Sequence, residues 1–173
     1  MGIVVHTYPA EVKAHYPIDI LLELCAIPNV KAIKMGQRNM SVYECYIRIL
    51  REIAPHISLL NCMDEYWILS CYPGVDGGLI GFAACIPEAI EAGWNALKAK
   101  DFAATRAAEE RIYPVKMGVY GLGQPTGEAH ARMKEALRQR GIFSNALMRR
   151  PTQPITQEEK DAVTAGLKAA KYI

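Results

Sequence analysis

The sequence lacks a long apolar run, a marked excess of either charge, and any paired cysteine motif. No apolar stretch reaches the ~20 residues a membrane-spanning helix needs, so a membrane is not an expected partner. Formal net charge is only +2 over 173 residues, which argues against nucleic acid as a partner. The basic residues near the end, Arg138, Arg140, Arg149 and Arg150, stand among acids and read as a solvated face. Five cysteines, Cys25, Cys45, Cys62, Cys71 and Cys85, are odd in number and form no CxxC pair. Most lie in apolar runs. Buried free thiols in a reducing cytoplasm fit this better than a disulfide framework. The start, MGIVVHTYP, has no charged leader and too short an apolar run for a signal peptide. Its Met-Gly opening resembles a myristoylation signal, but His6 stands where that signal has Ser or Thr.

Several site signatures are missing too. His6, His15, His56 and His130 show no metal-ligand spacing, so no metal is expected. There is no GxSxG nucleophile elbow. The stretch from Gly74 to Gly81 is glycine-rich, but no Gly-Lys-Ser/Thr follows it and GxGxxG spacing is absent. It reads as a tight turn with close backbone approach, not a phosphate loop. No cofactor is implied.

What is present is an ordinary globular balance, 51% hydrophobic and 22% charged, in a chain long enough for a real core. Ile3-Val4-Val5 continues through Thr7 towards Pro9 as a β-branched strand. Ile18 to Ile27 has helical leucine spacing and stops at Pro28. Asn29 to Lys34 reads as a second strand, Asn39 to Ala54 as a helix closed by Pro55, and Ile57 to Asn61 as a third strand. A short helix from about Glu65 ends at Pro73-Gly74. Leu79-Ile80 reads as a fourth strand. Strands alternating with helices predict a parallel sheet with helices outside it. After Ile80 the strands stop. Helices are predicted from Pro87 to about Lys98, and from a cap at Asp101 to Tyr113 or beyond, with Pro114 a kink or break. Gly121 to Gly127 is a loop. Another helix, capped by Thr126, ends near Gly141. A last one opens on the capping box Thr156–Glu159. Four strand–helix units fill only about the first hundred residues, whereas a closed eight-stranded barrel takes about 250. Either the chain is a fragment or something else supplies the other strands, because open sheet edges are normally covered.

These segments, in this order, resemble the C-terminal half of the dihydrodipicolinate synthase / N-acetylneuraminate lyase family. His6-Thr7-Tyr8-Pro9 stands where the family's fifth strand ends in Tyr-Asn-x-Pro. Ile27-Pro28-Asn29-Val30-Lys31-Ala32-Ile33-Lys34 is similar to the sixth strand, which ends in a lysine. Asn61-Cys62-Met63-Asp64-Glu65 resembles the Asn-Gly-Tyr-Asp-Glu segment of the sialic-acid lyase branch. Gly74-Val75-Asp76-Gly77-Gly78-Leu79-Ile80-Gly81 is similar to the eighth-strand turn, and Lys134-Glu135-Ala136-Leu137 with Arg150-Pro151 resembles the helical tail. The resemblance implies the second half of a (β/α)8 TIM barrel over residues 1–99 and a C-terminal helical region over 100–173, with the first four strands absent. It also implies a lyase, aldolase or dehydratase, acting on a pyruvate-type 2-oxo acid through a Schiff base on Lys34. His6 replaces the family's proton-relaying tyrosine. Asp64, Glu65 and Gly81 are the implied substrate contacts. Glu11 replaces an arginine that holds a second carboxylate, which argues against dihydrodipicolinate synthesis itself.

Chemistry and alternation support part of this on their own. Val30, Ala32 and Lys34 share one face of a strand, and parallel barrels hold their reacting groups at the C-terminal strand ends. A free lysine amine is neutral in only about one molecule in 2,500 at pH 7, and burial disfavours its charged form. The bland alternative is a lysine snorkelling from the strand end. For His6 it is a hydrogen-bonded core histidine, and for Asp64 and Glu65 it is a favourable place at a helix N-terminus. A second functional reading is a non-catalytic half-barrel. In either case Val4 and Val30 would face water, so the chain is expected to self-associate or to pair with a chain carrying the missing half.

Overall fold

The computed structural model describes residues 1–8, 15–122 and 127–173. The Glu11 replacement and the Thr126 cap lie outside them. The chain divides into two compact units, Met1–Ile80 and Gly81–Ile173.

The first unit is a parallel four-stranded sheet in the order β1-β2-β3-β4. Its elements are β1 (Ile3–Thr7), α1 (Ile18–Cys25), β2 (Val30–Met35), α2 (Met40–Ile53), β3 (Ser58–Asn61), a 3₁₀ turn (Asp64–Tyr66), α3 (Trp67–Cys71) and β4 (Gly77–Gly78). Helices start and stop where local chemistry dictates. Asn39 caps α2, its Oδ1 accepting from the Ser41 and Val42 N–H groups at 3.1 and 3.3 Å. Tyr43, Ile47 and Leu50 then recur at helical spacing and are fully buried. The Tyr43 hydroxyl donates to the Ser70 carbonyl at 3.0 Å, tying α2 to α3. Buried Asn61 organises the turn after β3. Its Nδ2 donates to Ser70 Oγ at 2.6 Å and its Oδ1 accepts from Met63 N at 2.9 Å.

The fourth strand differs from expectation. The ladder is made by Gly77 and Gly78, opposite Leu60 and Asn61, and not by Leu79-Ile80. Leu79 N still donates to Asn61 O at 2.9 Å, but its side chain is 50% exposed. The reason is packing: a Cβ at Gly78 would fall 2.2 Å from the Trp67 ring. Only a residue without a side chain lets this backbone reach β3 beneath that indole. Asp76 secures the approach, accepting from Leu59 N at 2.8 Å and pairing with Arg51 at 2.8 Å.

The second unit is helical among the described residues. A 3₁₀ turn (Phe82–Ala84) precedes α4 (Pro87–Lys98), α5 (Phe102–Val119), α6 (Gly127–Gln139) and α7 (Gln157–Ala169). Asp101 Oδ1 accepts from Ala104 N at 2.9 Å, and the Thr156–Glu159 capping box forms in both directions. The helix α5 runs through Pro114 to Val119 without ending. It crosses α7 so closely that a Cβ at Gly118 would lie 2.7 Å from the Ala162 carbonyl oxygen. Arg140 corrects the solvated-face reading. It is 11% exposed, pairs with Glu88 at 2.6 Å, donates to the Cys85 carbonyl and lies 4.6 Å over the Tyr172 ring. A stem of apolar methylenes and a flat cation suit such a half-buried seat.

All five cysteines are free thiols. Cys45 is exposed and the other four are buried. No helix among the described residues is long and apolar enough to cross a membrane.

Candidate active site

The two faces of the sheet differ. Side chains alternate along each strand, so the row Thr7, Met35 and Asn61 and the row Val5, Ile33 and Leu59 lie on one side. Ile33, Met35, Leu59 and Asn61 there are fully buried. On the other side the register aligns His6 with Lys34 and Lys34 with Leu60. Val4 is 48% exposed, His6 is exposed, and Lys34 and Leu60 are half-buried. Val30 departs from expectation: it is buried, because the ladder shifts register between Ile3 and Val4 and takes Val30 out of the row.

Lys34 sits next to the end of β2, and that end is pinned. Thr7 Oγ1 donates to the Lys34 carbonyl at 3.2 Å and accepts from Gly36 N at 2.9 Å. Beside Lys34, the His6 Nε2 and Cys62 Sγ atoms are 3.5 Å apart. Burial pushes the Cys62 thiol above its ordinary pKa. Its hydrogen bond to Lys34 and the Lys34 and Arg38 charges oppose that, while Asp64 reinforces it. Partial desolvation of the His6 ring, then the Lys34 and Arg38 charges, hold its pKa below the ordinary 6.5. The histidine is therefore biased towards the neutral form, able to take up a proton.

Asp64 is buried at the start of the 3₁₀ turn. Glu65 follows it and pairs through Oε1 with Arg38 Nε at 2.8 Å, both side chains being 11% exposed. Glu65 Oε2 is buried without a hydrogen-bond partner. The loop between β2 and α2 carries Arg38, which also donates to Gly36 O at 3.1 Å and lies 5.1 Å over the Tyr8 ring. Tyr8 in turn stacks on His6, with centroids 5.2 Å apart and planes 16° from parallel. Thus Lys34, His6, Asp64 and Glu65 gather at the C-terminal strand ends of the first unit. Gly81 opens the second unit, where a Cβ would make ordinary contact with Met133.

Three neighbours escaped the sequence reading. Cys62 continues the alternation Leu60, Cys62 onto the Lys34 face, so strand parity held a signal for it. Tyr8 also alternates with His6, but its stacking on that ring depends on side-chain rotation at the strand end. Arg38 had no signal, since a loop residue has no period. Among the described residues no group of three or more His, Cys, Asp or Glu is placed to hold a metal.

This arrangement is an amine, an imidazole and a thiol in contact at the carboxyl ends of parallel strands, with an acid–base pair alongside. It can present a nucleophilic nitrogen and move a proton near it. Comparison with known proteins places the fold. Residues 2–170 match the model of the dihydrodipicolinate synthetase family. No curated protein matches the sequence. Dihydrodipicolinate synthase from Thermotoga maritima superposes with a TM-score of 0.87 at 15% identity, covering 100% of this chain and 57% of that one. The Bacteroides thetaiotaomicron enzyme gives 0.84 at 21% identity, covering 97% and 56%. YagE, a prophage protein of the same family from E. coli K12 solved in complex with pyruvate, gives 0.83 at 18% identity, covering 100% and 57%. This chain thus spans little more than half the length of the structures it matches. Its four parallel strands and their helices are half of a (β/α)8 barrel, followed by a helical region. The chain belongs to the dihydrodipicolinate synthetase family.

Proposed function

We propose that this chain is the imine-forming half of a lyase, aldolase or dehydratase, acting on a pyruvate-type 2-oxo acid. The observation that carries the reading is the position of Lys34 at a pinned strand end, on the open sheet face, beside His6. The neutral Lys34 amine attacks the C2 carbonyl, and loss of water with uptake of one proton leaves an iminium ion. That ion accepts the electron pair released when a carbon–carbon bond breaks or when a proton leaves C3 ahead of dehydration. His6, biased to the neutral form, takes up the proton that the family's tyrosine handles and returns it later. Asp64 and Glu65 contact substrate hydroxyls, with Glu65 Oε2 the oxygen left over from the Arg38 pair. Gly81 is a substrate contact on the resemblance alone. Residues 1–99 furnish the barrel half, and 100–173 form the helical region. Five free thiols suit a cytoplasmic setting.

The half-exposed Val4 and the open face support a partner. It is a second copy of this chain, or a chain carrying the other four strands, since exposed apolar surface costs roughly 25 cal/mol per Å². The same observation supports the second reading, a half-barrel that assembles without catalysing. Borohydride reduction with pyruvate, followed by peptide mass mapping, separates them. An adduct on Lys34 is expected, and Lys34→Ala should abolish it. No adduct, or one on Lys31, in a preparation holding the whole barrel would refute the lyase.

A further inference from the structure

We infer that Arg38 and Tyr8 are positioning residues for His6: a guanidinium anchored by Glu65 presses the Tyr8 ring against the imidazole and holds it in one orientation. The inference rests on the reading of His6 as the proton carrier.

Four groups form a continuous column. Glu65 fixes Arg38 through the 2.8 Å Nε–Oε1 contact, and the Gly36 carbonyl fixes a second nitrogen at 3.1 Å. With both side chains only 11% exposed, moving either strands a buried charge, which makes this a stiff base for the stack. The guanidinium carbon lies 5.1 Å from the Tyr8 centroid, within cation–π range, and Tyr8 lies nearly parallel to His6 at 5.2 Å. At its edge His6 meets Cys62, whose Sγ is 3.5 Å from Nε2. The exposed imidazole is thus contacted on its face by Tyr8 and at its Nε2 edge by the thiol.

The column also has an electrical consequence. The groups facing His6 are Tyr8 from its own strand end, Lys34 from β2, Arg38 from the following loop and Cys62 from beyond β3. Two are cations, so a proton on His6 adds a third positive charge. Arg38 therefore acts on His6 twice, by fixing its ring and by disfavouring its protonation. With Nε on Glu65, Nη1 on the Gly36 carbonyl and its face over Tyr8, Arg38 serves as a brace.

Histidine NMR titration of the full chain without substrate tests this, with the His6 signal assigned from a His6→Gln variant. Arg38→Met keeps an apolar stem and removes the cation, so the His6 midpoint should rise. Tyr8→Phe keeps the stack and should leave the midpoint in place, whereas Tyr8→Ala should loosen the ring and raise its relaxation-detected mobility. Should Arg38→Met unfold because Glu65 is stranded, the Arg38→Met/Glu65→Gln double variant removes both charges and should show the same rise. An unchanged His6 midpoint in folded Arg38→Met or in the double variant, or an equally ordered His6 ring in Tyr8→Ala, would overturn the inference. Borohydride trapping with pyruvate, on the same variants in a preparation holding the whole barrel, reports Lys34 separately. If trapping fails while His6 responds as described, the lyase reading falls and the clamp stands. In an active assembly Tyr8→Ala should lower kcat roughly 10- to 100-fold with KM little changed, and shift the pH–rate profile.

Discussion

The two faces of the four-stranded sheet use the same strands for opposite purposes. One carries Ile33, Met35 and Leu59, fully buried in the first unit's core. The other carries Val4, His6, Lys34 and Leu60, all exposed or half-buried. Successive residues of a strand point to opposite sides, so a single step along β2, from Ile33 to Lys34, passes from the core to the reactive face. Stability and chemistry are thereby separated by one residue. A substitution on the sealed face should change folding without touching the amine, and one on the open face should do the reverse.

Three tests would break or sharpen that contrast. The largest effect is expected from Ile33→Ala, which removes a fully buried side chain and should destabilise the chain by about 2–5 kcal/mol in urea melts. Val4→Ala on the open face should cost less than about 1 kcal/mol. Equal losses at the two positions would show that the open face is covered after all. Next in size is Gly78→Ala. The new methyl group would meet the Trp67 ring at 2.2 Å, so about 1–3 kcal/mol should be lost through overpacking. Indole fluorescence should change with it. An unperturbed Gly78→Ala melt would mean that the ring yields freely. The smallest effect concerns pH. The folded His6 pKa is held below the ordinary 6.5 while the unfolded one is not, so the unfolded chain binds more protons as pH falls below about 6.5. The His6 contribution is thus fully present above that pH and is lost on acidification. His6→Gln should flatten this part of the stability–pH curve, and a slope identical in both proteins would assign it to other groups.

Sequence alone determined most of the scaffold. Proline stops, the Asp101 cap, the Thr156–Glu159 box and the alternation of β1 to β3 depend on residues within a few positions of each other, and local chemistry is legible locally. Counting along β2 puts Lys34 on the face of Ala32, but the register of β1 against β2 decided that His6 lies on that face too. Long-range packing decided the rest. The apolar run Leu79-Ile80 reads as the fourth strand, yet the sheet takes Gly77-Gly78, because Trp67, eleven residues before Gly78, leaves no room for a side chain at Gly78. Arg140 looked solvated until folding brought Glu88 and Tyr172 to it. The column from Glu65 through Arg38 and Tyr8 to His6 joins four residues whose order in space no periodicity encodes. Side-chain rotation and loop closure bring such groups together, and those are settled only when the strands are in register.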